Sequence, residues 1–164
     1  MKQIPWKTYL FWVLLTEAVG ALSGWLTRDG AKQYAETITL PPLSPPGIVF
    51  PVVWTILFAL MGIGAARVWM AAASSERTRS LRLFFVQLGF NFFWSIIFFN
   101  LQAYGFAFVW LAVLWVLILW MLLSFRKVDP LAGWLQLPYL FVGGLCRVSQ
   151  PQCVVPQQMK PSRR

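Results

Sequence analysis

The chain has no histidine, only two cysteines and only five carboxylate side chains among its 164 residues. Each shortage removes a class of chemistry. With no imidazole, and with Cys146 and Cys153 both in an unusual C-terminal tail, the usual zinc sites, axial haem ligands and Cys–His nucleophile pairs lack their parts. There is no G-x-x-x-x-G-K-[ST], no G-x-S-x-G and no repeat period. Charge is scarce as well: charged residues make up 12% of the chain and hydrophobic ones 59%, against about 25% charged in a soluble domain. The bilayer is the expected solvent.

Apolar runs of about 20 residues are needed to cross a hydrocarbon core of about 30 Å. Four stand out, Tyr9 to Leu26, Ile48 to Ala73, Leu81 to Leu101 and Phe106 to Phe125, and a fifth, Leu131 to Cys146, is marginal in length. In hydrocarbon the backbone must satisfy its own hydrogen bonds, so these runs are expected to be helices. The fold class expected is an all-α membrane protein, a five-helix transmembrane bundle with a truncated or disrupted fifth helix. The bundle covers residues 1–146, with helices about 8–27, 48–73, 80–101, 105–126 and 131–146, a lid loop at 28–47 and an irregular basic tail at 147–164. Nothing at the start reads as a cleaved signal, because the first run follows only Lys2 and Lys7 and is long enough to span.

The net charge of +9 sits almost entirely between the apolar runs. If each run crosses once, Lys2, Lys7, Arg67, Arg77, Arg79, Arg82, Arg126 and Lys127 share one side, against Arg28 and Lys32 on the other. The positive-inside bias makes the first side, with the N-terminus, cytoplasmic.

Polarity inside the runs is confined to particular faces. Gln87, Asn91, Trp94, Ser95, Phe98 and Gln102 share one face of the third helix at 3.6 residues per turn. A lipid-facing amide is costly, so the stripe is expected to face inward, either bonding helix to helix or lining a ligand cavity. Phe50, Trp54 and Phe58 stack on one strip of the second helix, as packing or as a binding wall. Trp110, Trp115 and Trp120 are five apart, spread round the fourth helix, and read as lipid contact and packing. Glu17 is the one carboxylate inside an apolar run. It is either a functional acid or a hydrogen-bonded acid that joins helices. Gly20 and Gly24 beside it form a G-x-x-x-G spacing that permits close helix approach.

Between the first two runs, "LPPLSPPGIVFPVVW" (Leu40 to Trp54) holds five prolines in fifteen residues. Proline fixes its own backbone angle and extends the residue before it, which makes this a stiff strap, either a lid over a cavity or a rigid connector. Pro51 is tolerated in the first turn of the second helix, where no amide donor is needed.

Taken in order, "PPLSPPGIVFPVVWTILFALMG", "QLGFNFFWSIIFF" and "LQLPYLF" resemble the TspO/translocator protein family, the tryptophan-rich sensory or peripheral benzodiazepine receptor type, from Tyr34 to about Phe141. The resemblance implies a five-helix bundle, often dimeric, whose cavity under the first loop binds porphyrins, haem and, in some members, sterols or isoquinoline drugs. Carried over by position, Tyr34 of the loop, Trp54 and Phe58 of the second helix, and Asn91 and Trp94 of the third line that cavity. No cofactor is obligatory in this reading; porphyrin or haem is the ligand. The chain departs from the pattern at Gln33, Leu43 and Ile48, where members often carry tryptophan, so its lid is less aromatic.

The resemblance therefore implies a membrane tetrapyrrole-binding and regulatory protein. Its alternatives are a tryptophan-dependent porphyrin-degrading enzyme and a small porphyrin transporter. With no histidine base or metal set, degradation would draw on the ligand and the indoles.

After Phe141 the family pattern stops. The stretch Leu131 to Cys146 spans only about 24 Å at 1.5 Å per residue, and Arg147, Pro151 and Pro156 are expected to bar an ordinary extension. A back-translation of Val142 to Gln158 read one base later gives WAGFAGYLNLSVWYRN, which continues the family pattern. The tail thus reads as a frame-shifted product, with both cysteines as by-products without redox meaning.

Overall fold

A computed structural model describes residues 5–37 and 49–149; at Tyr34, Ala35, Thr37, Val49, Phe50 and 145–149 it describes the backbone alone. The described chain is helical throughout, in the order α1 (Trp6–Thr37), α2 (Val49–Met70), α3 (Ser75–Ser95), a π turn (Ile96–Asn100), α4 (Tyr104–Val128), α5 (Pro130–Trp134) and α6 (Leu137–Ser149). Four helical stretches are long and apolar enough to cross a membrane: Trp6–Gln33, Pro51–Met70, Ser75–Asn100 and Tyr104–Val128. The fifth helix of the bundle is the short α5–α6 pair.

Several boundaries differ from those expected, each for a local reason. Helix α1 does not end near residue 27 but continues to Thr37, because "RDGAKQYAET" contains no proline and several good helix formers. Its 32 residues make a rod of about 48 Å. Tyr34 consequently belongs to a helix and not to a loop. The proline strap itself, residues 38–48, lies outside the described residues. Helix α3 begins at Ser75 and not near 80, since the Ser74 hydroxyl caps it by accepting from the Arg77 amide at 3.1 Å. The fifth helix is two pieces and not one. Asp129 caps α5 through the amides of Leu131 and Ala132, Pro130 opens it, and Pro138, which has no donor to give, forces a turn at Leu135–Gln136 before α6 starts. Arg147 does not stop α6, whose backbone runs to Ser149; the tail from residue 150 on lies outside the described residues.

The core is made where α2, α3 and α4 face one another. Met61, Phe84, Leu114, Ile118, Met121 and Phe125 are fully buried. Helix α1 packs on α2 through a glycine: a Cβ on Gly62 would lie 2.6 Å from the Val13 Cα, so only glycine allows this crossing. The expected Gly20–Gly24 pair works differently. Gly20 lies against the Phe58 ring, while Gly24 has nothing within 4 Å of where a Cβ would stand.

One end of the bundle is basic and aromatic. Arg77 lies over Trp69, Arg79 over Trp120 and Arg126 over Trp134, at 5.0, 5.4 and 5.1 Å, the pairing expected where a membrane meets water. Arg67 near the end of α2 pairs with Asp129 at 2.8 Å and ties α2 to the start of α5.

Candidate functional site

Helices α1, α2 and α3 leave a cavity of about 350 Å³ between them, lined also by Phe99 of the π turn. Four of the five candidate site residues, Trp54, Phe58, Asn91 and Trp94, line it. The fifth, Tyr34, has its backbone in the last turn of α1, and its side chain lies outside the described residues.

One wall is aromatic. Trp54 and Trp94 stack at 6.5 Å with 23° between their planes, Trp94 stacks on Phe98 at 5.3 Å, and Trp54 tilts against Phe58 at 5.8 Å. The i, i+4 spacing of Trp54 with Phe58 and of Trp94 with Phe98 places each pair on one helix face. Trp94 is only 4% exposed, yet its indole Nε1–H has no hydrogen-bond partner among the described residues.

The α1 wall is made of small and polar side chains. Glu17, Gly20, Gly24, Thr27 and Ala31 follow a 3, 4, 3, 4 spacing along the cavity, with Ser23 beside them. Thr27 spends its hydroxyl on the Ser23 carbonyl at 2.8 Å. The Ser23 hydroxyl is buried without a partner, and Glu17 makes no hydrogen bond or ion pair with any described residue. Glu17 is therefore not the helix-joining acid; it belongs to the cavity lining.

Behind the aromatic wall the polar stripe of α3 meets α6. Asn91 donates its amide to the Tyr139 hydroxyl at 2.6 Å, and that hydroxyl donates to the Gln87 carbonyl at 3.0 Å. The Gln87 amide turns to the Met61 sulfur at 3.6 Å. The stripe thus does both things its pattern allowed: Gln87 bonds helix to helix, while Asn91 does so and also lines the cavity. Tyr139 also meets Trp54 edge to face at 6.2 Å. Gln102 leaves the stripe. The π turn adds a residue to the helical register, and Gln102 falls exposed beyond it with φ 50°. The turn is held to α1 by Asn100, which donates to the Leu26 carbonyl at 3.1 Å, and by Gly30, whose missing Cβ leaves room for the Phe99 carbonyl.

On α4 the three tryptophans serve packing and lipid contact. Trp110 donates to the Phe90 carbonyl and Trp115 to the Leu140 carbonyl, while Trp120 is exposed.

The TspO/MBR family pattern matches residues 12–145, a stretch that contains every residue lining the cavity. The chain belongs to the TspO/MBR family. The tryptophan-rich protein TspO of Chlorobaculum tepidum is 36% identical over 124 residues, covering 75% of this chain and 78% of its own length. The translocator protein of Bos taurus is 28% identical over 138 residues, covering 83% and 82%. The tryptophan-rich sensory protein of Cereibacter sphaeroides is 29% identical over 137 residues, covering 84% and 83%. Family membership and four spanning helices together make the chain an integral, multi-pass membrane protein in contact with lipid.

For this TspO/MBR chain, sequence reasoning missed two parts of the cavity region. The small-residue wall of α1 was visible only as a G-x-x-x-G pair, although its 3, 4, 3, 4 spacing was there to be counted. Tyr139 carries no local signal of its role in the sequence, because its partners lie 48 and 52 residues away.

Proposed function

We propose that this TspO/MBR protein binds a flat tetrapyrrole, porphyrin or haem, in the cavity between α1, α2 and α3, and that occupancy regulates how the bundle engages partners. The observation that carries the reading is the stacked Trp54–Trp94 wall opposite a wall of small residues, a slot-like pairing suited to a planar ring. The cavity volume of about 350 Å³ lies in the range of small-molecule sites, which are mostly apolar with few polar anchors. Asn91 supplies an anchor already fixed by Tyr139. Sterol-like ligands compete for the same slot, and the family resemblance adds a homodimer. The basic residue bias orients the N-terminus to the cytoplasm.

Titration of the purified protein with protoporphyrin IX, first in the dark and then under illumination, tests this reading. Quenching of tryptophan emission with an unchanged porphyrin spectrum is the expected result. Protein-dependent loss of the porphyrin band under light would assign degradation instead, and no quenching at all would remove the tetrapyrrole.

A further inference from the structure

The cavity lining carries an acidic side chain and a pair of indoles. Among the described residues, Glu17 is the one ionisable side chain lining the cavity, and no lysine or arginine lines it. A carboxylate at membrane depth is costly, and such residues are found where a partner or ligand answers them. Within the described protein nothing answers Glu17: it has no hydrogen bond, and the two ion pairs involve Asp29 and Asp129. Trp54 and Trp94 line the same cavity, and indole rings are electron-rich groups that favour cations over anions. Two further polar groups on lining residues are buried without partners, the Ser23 hydroxyl at 6% exposure and the Trp94 indole N–H at 4%. A buried polar atom left unpaired is a standing cost to the bundle.

We propose that Glu17 is a specificity-determining residue of this cavity: it accepts a cationic or N–H-bearing edge of a flat aromatic ligand stacked on the Trp54–Trp94 wall, and it disfavours carboxylate-bearing edges. The inference rests on the cavity being a ligand site, as proposed above. For a tetrapyrrole it means that acidic substituents turn away from α1 and that the α1 side meets a donor. The ligand class is a planar heteroaromatic with a donor or positive edge.

The test compares three tricyclic probes of one shape in neutral detergent: 9-aminoacridine, a cation with N–H donors; acridine, uncharged; and acridine-9-carboxylate, an anion. Each is titrated into the full chain and into Glu17→Gln, with protoporphyrin IX titrated alongside. The expected result is that the wild-type chain binds 9-aminoacridine about tenfold or more tighter than acridine-9-carboxylate, the scale of one charge contact in a partly desolvated site. Glu17→Gln, which removes no bond to any described residue, is expected to bring that ratio close to unity while leaving acridine unchanged. The same ratio in both proteins, or a wild-type preference for the carboxylate, would overturn the assignment of Glu17; the second result needs no variant. Binding of protoporphyrin IX without any acridine would overturn the charge selection and leave the tetrapyrrole reading standing. Failure of all four ligands would remove both.

Discussion

Two sets of polar groups lie within this apolar bundle, and they are treated in opposite ways. Gln87, Asn91 and Tyr139 are buried and joined in one chain of hydrogen bonds from α3 to α6. Glu17, Ser23 and the Trp94 indole lie on cavity-lining residues and have no partner among the described residues. In a low-dielectric interior a satisfied network holds helices in register, while an unsatisfied group is a standing cost. The first set builds the bundle; the second lines the cavity that we propose as the ligand site. Asn91 is the joint between them, bonded to Tyr139 and exposed to the cavity.

That contrast is broken most severely from its structural side. Tyr139→Phe removes the hydroxyl that serves both amides and leaves Asn91 and Gln87 each short of a partner. A loss of about 1–3 kcal/mol is expected, read as a lower melting temperature in detergent. Ligand affinity is expected to fall less than stability. A melt unchanged from wild type would show that the network does not hold the bundle.

The next effect comes from the functional side. Trp54→Ala is expected to weaken protoporphyrin IX binding about tenfold or more, on the scale of about 1–3 kcal/mol for ring stacking on an aromatic side chain. Asn91→Ala acts in the same direction. Trp115→Ala loses its bond to the Leu140 carbonyl and is expected to lower the melting temperature with binding unaffected. Equal binding losses at all three sites would sink the cavity assignment.

Gly20 and Gly24 sharpen the comparison at a smaller scale. A Cβ at Gly20 would stand 2.6 Å from the Phe58 ring, which must shift to admit it. Gly20→Ala is expected to cost about 1–3 kcal/mol of overpacking and to weaken protoporphyrin IX binding severalfold. Gly24→Ala meets nothing within 4 Å and is expected to leave stability within about 0.5 kcal/mol of wild type. The smallest effect is expected at Ser23. Ser23→Ala removes an unpartnered hydroxyl and is expected to leave the melt unchanged or slightly raised, while binding of a donor-bearing ligand weakens.

How far these features could be read from the residues depended on where their determinants lay. The spanning helices were plain because hydropathy is a local property, and the inward face of α3 followed from the cost of an amide in lipid. Four carried-over site positions meet at one cavity for the same reason: helical spacing aligns them. The course of α1 past Arg28 was missed by ending the helix with its apolar run, though nothing before Pro41 stops it. The break at Leu135–Gln136 was within reach, since Pro138 cannot donate. The π turn and the pairing of Asn91 with Tyr139 were not, because both are settled by packing between distant segments. Glu17 is visible in the sequence as an oddity, and only the structure shows that it lines the cavity without a partner among the described residues.

The central claim is that the cavity between α1, α2 and α3 is a ligand site distinct from the network that holds the bundle. Melting curves with and without excess protoporphyrin IX test it most directly, because a ligand at 100 times its Kd adds about 2.7 kcal/mol to native stability. Wild type and Tyr139→Phe are both expected to show the upward shift, the latter from a lower start, whereas Trp54→Ala is expected to show little shift from its own start. A full ligand shift in Trp54→Ala, or its loss in Tyr139→Phe alone, would contradict the account.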